Sequence, residues 1–366
     1  MLHRRITEDR ETQRHPPIVS IGGKPFGRRG DFCVLMGQRK AGKTTVLRFL
    51  VATALMQNAS NVDTLSIMTE YANGKDVILI DTEGTEEDTQ DFIRGVQHII
   101  GADEPPTNFH AYNFRPYTQQ QCREATEALL SHHKDAHLIV VDGISDLVKS
   151  INNEETSNEI VRWLMASAQC LKCCIVVVIH ENQAAESGGR GRGHLGAELE
   201  RKASGAVGIR KDPQTKQHLI ECRFLRKSED FDTISWGFDK EAGRPVSRPL
   251  TYEERKALTD RNQAKISELL PLVQKCFLGM KRLTKEKLKE ALRTHLPQGT
   301  STNSDAIRKR VDRSFIAALD LKIIARFESE TGDVFELVRS VESAVEAPTD
   351  VLPVLDLVPD PEPAPF

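Results

Sequence analysis

Between residues 31 and 56 the chain passes from an apolar run, Asp31 to Met36 (DFCVLM), through a glycine-bounded segment into a stretch with apolar side chains at helical spacing, Val46, Phe49, Leu50 and Ala54. The segment between reads Gly37-Gln38-Arg39-Lys40-Ala41-Gly42-Lys43-Thr44-Thr45. Strand, tight loop and helix in immediate succession leave little freedom: the loop must turn its backbone N–H groups together at a helix start, where they form a cradle for an anion. The spacing G-x-x-x-x-G-K-T in that context is the phosphate-binding loop. Gly37 and Gly42 allow backbone shapes and close approach that a Cβ hinders. Lys43 reaches the outer phosphates, and the Thr44 hydroxyl joins the shell of a magnesium ion. The ligand expected is ATP with Mg2+.

The rest of the chain alternates in the same way. Strands are expected at Val77 to Ile80, Phe109 to Phe114, Leu138 to Val141 and Cys174 to Ile179, ending in Asp81, a weaker edge, Asp142 and His180. Helices are expected at Glu86 to Ile100, Gln119 to His132 and Asn158 to Cys170. Repeated β-then-α units predict an α/β fold with a doubly wound, mostly parallel sheet and helices on both faces. In such sheets ligands gather at the carboxyl ends of the strands, so those strand-end residues are the candidate site. Asp142 is expected to hold the metal, directly or through water. In Asp81-Thr82-Glu83, Glu83 is the expected base for the attacking water and Asp81 competes with it. The alternative for that segment is an acidic surface turn, since Glu86, Glu87 and Asp88 follow. His180 is placed to touch the γ-phosphate.

The 366 residues suit one large domain or two modest ones. A net charge of −3 confines any nucleic-acid contact to a patch or loop. No run of about 18 apolar residues occurs to span a membrane, and the first residues lack the apolar core of a signal peptide. The seven cysteines form no disulfide framework, which points to a reducing, cytoplasmic setting. Cys170, Cys173 and Cys174 lack a second ligand pair for zinc and read as a helix end running into a buried strand. The boundaries expected are a disordered 1–16, an ATPase domain 17–250 that opens on an edge strand or hairpin, a charged helical linker 251–265, a small domain 266–344 and a disordered Pro/acidic tail 345–366. Further strands are expected at Ala203 to Ile209, His218 to Phe224 and Thr233 to Phe238. Ala184 to Gly196 (AAESGGRGRGHLG) reads as a mobile glycine-rich loop.

The order of phosphate loop, DTEG strand end, strand ending in Asp142 and strand ending in IHEN resembles a RecA-type ATPase. The phrases Ile151-Asn152-Asn153-Glu154-Glu155 and Arg192-Gly193-His194-Leu195-Gly196-Ala197-Glu198-Leu199 resemble the RepA-like ATPases of plasmids and mobile elements of Bacteroides-type bacteria. The likeness covers about residues 17 to 245. It implies that Glu83 activates water and that His180 senses the γ-phosphate. It also implies that loop 183–196 holds DNA, with Arg190, Arg192 and His194 as candidates, and that Arg226, or Arg223 as the second candidate, reaches a neighbouring subunit's nucleotide in a ring or filament. In the small domain, helices at Ile266 to Met280, Lys285 to Thr294 and Ser304 to Leu319, then a hairpin over Lys322 to Val338, resemble a winged helix. Ile307, Val311, Phe315 and Ala318 form the buried stripe of its third helix, with Lys309 and Arg313 facing DNA. The implied function is an ATPase acting on DNA in plasmid or mobile-element replication or mobilisation. The alternatives are a replicative helicase proper and an ATP-gated, DNA- or recombinase-binding adaptor that hydrolyses slowly.

Overall fold

The computed structural model describes residues 15–181, 191–296, 304–321, 323–329 and 332–338. Most of the N-terminal segment, Arg190 and the Pro/acidic tail lie outside the described residues. The chain divides into two compact units, Met1–Lys256 and Ala257–Phe366.

In the first unit, β1 (Val19–Ile21), β2 (Lys24–Gly27) and β4 (Ile67–Thr69) form a small antiparallel sheet. The main sheet contains β3 (Asp31–Gly37), β5 (Asp76–Asp81), β6 (Phe109–Asn113), β7 (Ala136–Asp142), β8 (Cys174–His180), β9 (Gly205–Lys211), β10 (His218–Leu225), β11 (Ile234–Asp239) and β12 (Arg244–Ser247). Its order is β12-β11-β10-β9-β3-β8-β7-β5-β6. Pairing is parallel from β9 through β6 and antiparallel from β9 out to β12. The alternation of side chains explains why both faces must be covered. Cys33 and Leu35 of β3, with Val77 and Leu79 of β5, join one buried cluster with α1 (Lys43–Leu55), α2 (Glu86–Ile100) and the small sheet. Phe32, Val34, Met36, Ile78 and Ile80 point the other way. They meet α3 (Gln119–His132), α4 (Glu154–Leu171) and α5 (Gly193–Lys202).

Helix starts follow their caps. Thr85 and Asp88 close a capping box on α2, and Thr118 and Gln121 close one on α3. Asn153 caps α4 by accepting from the Thr156 amide, so that helix begins at Glu154, one turn before the apolar periodicity shows it. The described cysteines are free. Cys33 and Cys174 are buried and face each other at 4.0 Å, Cys222 is half-buried on β10, and Cys170 is exposed on α4. No helix among the described residues is long and apolar enough to cross a membrane.

The charged segment 251–265 is helical from Tyr252 onward, within α6, which runs unbroken from Tyr252 to Cys276. Its buried side chains begin only at Ile266, so the earlier turns carry no apolar stripe. The glycine-rich segment does not extend to Gly196 as a loop, because α5 begins at Gly193.

The second unit packs α6, α7 (Lys285–His295) and α8 (Ser304–Asp320) around one apolar cluster. β13 (Leu283–Thr284), β14 (Ile324–Ser329) and β15 (Gly332–Leu337) form a three-stranded antiparallel sheet in the order β13-β15-β14. Val311, Phe315 and Ala318 of α8 are buried and Ile307 is half-buried, while Lys309 and Arg313 are exposed.

Candidate active site

The register of the parallel strands aligns their ends. Gly37 of β3 pairs with His180 of β8, and Asp81 of β5 pairs with Asp142 of β7. Phosphate loop, acidic turn, metal-type carboxylate and histidine therefore meet at one edge. They line a cleft of about 770 Å³ shared by Arg39 to Thr44, Thr82, Glu83, Asp142 and His180. Gly37 ends β3, Gln38 follows it and Thr45 lies in the first turn of α1; none of the three lines the cleft.

Gly42, which caps α1, has φ +102, and a Cβ there would stand 2.6 Å from the Trp236 ring. Trp236 stacks on His218 with centroids 4.2 Å apart, and His218 Nδ1 donates to the Ala41 carbonyl at 2.7 Å. The antiparallel strands β10 and β11 thus brace the phosphate loop from beneath. Lys43 Nζ donates to the carbonyls of Gly37 and Gln38, each at 3.0 Å, and to His180 Nδ1 at 3.3 Å. Burial pulls the Lys43 ammonium below its ordinary range, against Asp142, Glu83 and Glu181.

The two rival carboxylates at the end of β5 have different partners. Asp81 Oδ1 accepts from the amides of Glu83 and Gly84 at 3.0 and 2.8 Å, and Oδ2 accepts from the Thr89 hydroxyl at 3.0 Å. It shapes the turn. Glu83 reaches into the cleft, where His180 Nε2 donates to its two oxygens at 3.0 and 3.1 Å. That hydrogen bond is the main reason its carboxyl lies below its ordinary value. With Nε2 on Glu83 and Nδ1 on Lys43, His180 links the phosphate-binding lysine to the candidate base. The acidic run that follows belongs to the helix start: Glu86, Glu87 and Asp88 occupy the first turn of α2 and complement its dipole.

Asp142 and Thr44 both line the cleft and supply hard oxygen donors of the kind Mg2+ prefers. The Asp142 carboxyl is pushed from its ordinary 3.8 up to about 7, first by burial, then by Asp81 and Glu83, with Lys43 and His180 opposing. A folded value above the unfolded one means that this group's stabilisation is complete only below pH 3.8 and is lost as pH rises through about 7. In EDTA and without nucleotide, Asp142→Asn is expected to raise the melting temperature at pH 8 and to change it much less at pH 5. Thermal unfolding at the two pH values checks this; equal shifts at both would contradict it.

Three cleft residues were not expected at the nucleotide site. Arg115 follows β6, the weakest of the predicted strands, and Asp146 accepts a 2.8 Å hydrogen bond from Thr82. Arg192 lines the same cleft, and its amide donates to the His180 carbonyl at 3.0 Å. Expected on a DNA-binding loop, it also lines the cleft with the phosphate-loop residues. Five cations (Arg39, Lys40, Lys43, Arg115, Arg192) and three carboxylates (Glu83, Asp142, Asp146) share the cleft lining, a balance suited to a polyanion. His194 is exposed on the first turn of α5.

The two distinctive phrases are in contact. The Leu195 amide donates to the Ile151 carbonyl at 2.9 Å, and Gly193, at φ +74, leaves only 2.5 Å between a Cβ and that same carbonyl. Gly193→Ala is expected to cost about 1–3 kcal/mol through strain and collision. Chemical denaturation measures it; a variant as stable as the parent would show that the contact is not tight.

The expected intersubunit cations sit elsewhere. Arg223 donates to the buried Glu181 at 3.0 Å. Arg226 follows the Leu225 end of β10, which pairs with the first residue of β9, so it lies at the opposite end of the sheet from its own chain's cleft. Its side chain donates to the Arg201 carbonyl.

A family model described as an AAA domain matches residues 27–185, which span the phosphate loop and the strand ends carrying Glu83, Asp142 and His180. The chain therefore carries a P-loop NTPase domain, with the mixed α/β, mostly parallel sheet of that class. A search of curated proteins gives no match.

Proposed function

We propose that this chain is a RecA-type ATPase that hydrolyses Mg·ATP and works on DNA as a ring or filament. The observation that carries the enzymatic half is the connected set Lys43–His180–Glu83 facing Asp142 across one cleft. Arg39, Lys40 and Lys43 hold the phosphates with the loop amides, and Thr44 and Asp142 would hold the metal, which polarises the outer phosphate when bound. Glu83 takes the proton of the attacking water. Arg115 and Arg192 approach the nucleotide from its own chain, and Arg226 acts only on a neighbour's nucleotide.

The DNA half rests on chemistry and resemblance. The segment containing Arg190 follows His180 and Glu181 directly, so a change at the γ-phosphate is one residue removed from it. Three helices and a three-stranded antiparallel sheet in the second unit are consistent with a winged-helix-like module, and the exposed Lys309 and Arg313 of α8 suit a phosphate backbone. The INNEE and RGHLGAEL phrases support a RepA-like role in plasmid or mobile-element replication or mobilisation.

The test is the ATPase rate with and without single- and double-stranded DNA, with particle size measured in a non-hydrolysable nucleotide. Stimulation of several-fold by single-stranded DNA and growth in particle size are expected. Slow hydrolysis indifferent to DNA would replace this reading with the ATP-gated adaptor. Strand displacement on a forked duplex would identify a helicase proper.

A further inference from the structure

At the end of the main sheet away from the nucleotide cleft, three side chains from separate elements converge. Asp76 opens β5, His110 is the second residue of β6, and His133 caps the carboxyl end of α3. The strand register brings them together: Ile78 pairs with His110, and Asp76 pairs with Ala136 just past α3. His110 Nε2 lies 3.1 Å from Asp76 Oδ1, and His133 Nδ1 lies 2.8 Å from Asp76 Oδ2. One ligand atom from each residue falls within 4.8 Å of the others. The two imidazoles are tilted 44° to each other with centroids 4.7 Å apart.

We propose that Asp76, His110 and His133 form a binding site for one zinc-class divalent ion. Two imidazole nitrogens and a carboxylate are a donor set zinc accepts, at bonds near 2.0–2.2 Å. Two such donors on one tetrahedral ion stand about 3.3 Å apart; here the two imidazoles contact different oxygens of Asp76 and the ligand atoms lie within 4.8 Å of one another, so side-chain rotation would have to draw them in by up to about 1.5 Å. His133 is 6 % exposed, whereas His110 and Asp76 are 30 % and 28 % exposed, so the cluster opens on one side where a fourth ligand enters from solvent.

The surroundings support an ion here. The Tyr112 hydroxyl lies 2.9 Å from His133 Nε2, the nitrogen left over when Nδ1 faces the cluster. With a metal on Nδ1, Nε2–H donates to that hydroxyl and fixes the ring, as outer partners of metal-bound histidines do. Tyr112 and His110 lie two residues apart on β6, hence on one face. The neighbouring cation, Lys75, is engaged by Asp135 at 2.9 Å. The nitrogen donors separate this site in chemistry from the oxygen-rich cleft at the far end of β5, about 17 Å away along the strand. An ion here would staple β5, β6 and α3.

The test uses the full chain without an affinity tag, free of nucleotide and Mg2+, titrated with Zn2+ against a chromophoric chelator. One zinc per chain is expected. His110→Ala and Asp76→Asn should abolish uptake, and Tyr112→Phe should weaken it about tenfold. Cys170→Ser should change nothing, and Co2+ in place of zinc should show nitrogen and oxygen ligation without thiolate charge-transfer bands. His110 is the most exposed of the three ligands, so His110→Ala should leave the melting temperature of the metal-free protein and its Mg·ATP turnover near those of the parent. No uptake by the parent chain, undiminished uptake by His110→Ala, or loss of uptake in Cys170→Ser would each overturn the proposal; the carboxylate would then serve only to hold two imidazoles.

Discussion

Lys43→Ala is expected to cut Mg·ATP turnover by at least about 10²–10³-fold, the loss typical of removing one preorganised donor from developing phosphate charge. Its position explains why no neighbour can replace it. Lys43 is the first residue of α1, so its ammonium stands where the loop amides and the helix dipole already favour an anion. Asp142, Glu83 and Glu181 act on its charge from the same cleft region, opposing the effect of burial. It also donates to Gly37 and Gln38, so the alanine variant loosens the loop as well as losing charge. Steady-state phosphate release, with folding checked by thermal unfolding, measures the effect. Turnover near the parent's in a folded Lys43→Ala chain would remove the phosphate loop from the account.

Glu83→Gln should lower turnover by about 10²–10⁴-fold, the range for loss of a general base, while ATP still binds. Glutamine keeps the size of the side chain and can still accept from His180 Nε2, so the cleft should hold its shape. Asp81→Asn provides the contrast. Asp81 secures the Thr82–Gly84 turn through three hydrogen bonds and should cost about 1–3 kcal/mol of stability, with smaller loss of turnover per folded molecule. The reverse pattern, with Asp81→Asn inactive yet stable and Glu83→Gln active, would exchange the two roles.

That pair also marks where sequence reading stops. Two carboxylates two residues apart at a strand end look alike in sequence; they separate only once hydrogen-bond partners are known. The alternating core was legible because both faces of a parallel sheet must be apolar. α2 and α3 begin where expected because Thr85 and Thr118 announce them. The edge strands β4, β12 and β13 are too short to carry a period. Gly193 and Gly196 suggested a loop, whereas the first is needed for close packing on Ile151 and the second for close packing on Gly191. Arg115 and Arg192 join the cleft by convergence of separate segments, which no local pattern reports.

The connection from Lys43 through His180 to Glu83 gives the site an internal order. On the proposed reading, a phosphate that drew Lys43 outward would remove the donor from His180 Nδ1, and the imidazole would then adjust its hold on Glu83. His180 leads straight into Glu181, whose pairing with Arg223 ties the strand end to β10. In this way nucleotide state would reach the segment proposed to meet DNA.

The most direct measurement is ATP binding and phosphate release by the full chain, followed in parallel with Mg2+ and with EDTA. The account predicts one ATP bound per chain and saturable release that depends on Mg2+. It predicts that Glu83→Gln binds without releasing phosphate. No ATP binding by the parent, or release that persists in EDTA, would contradict it.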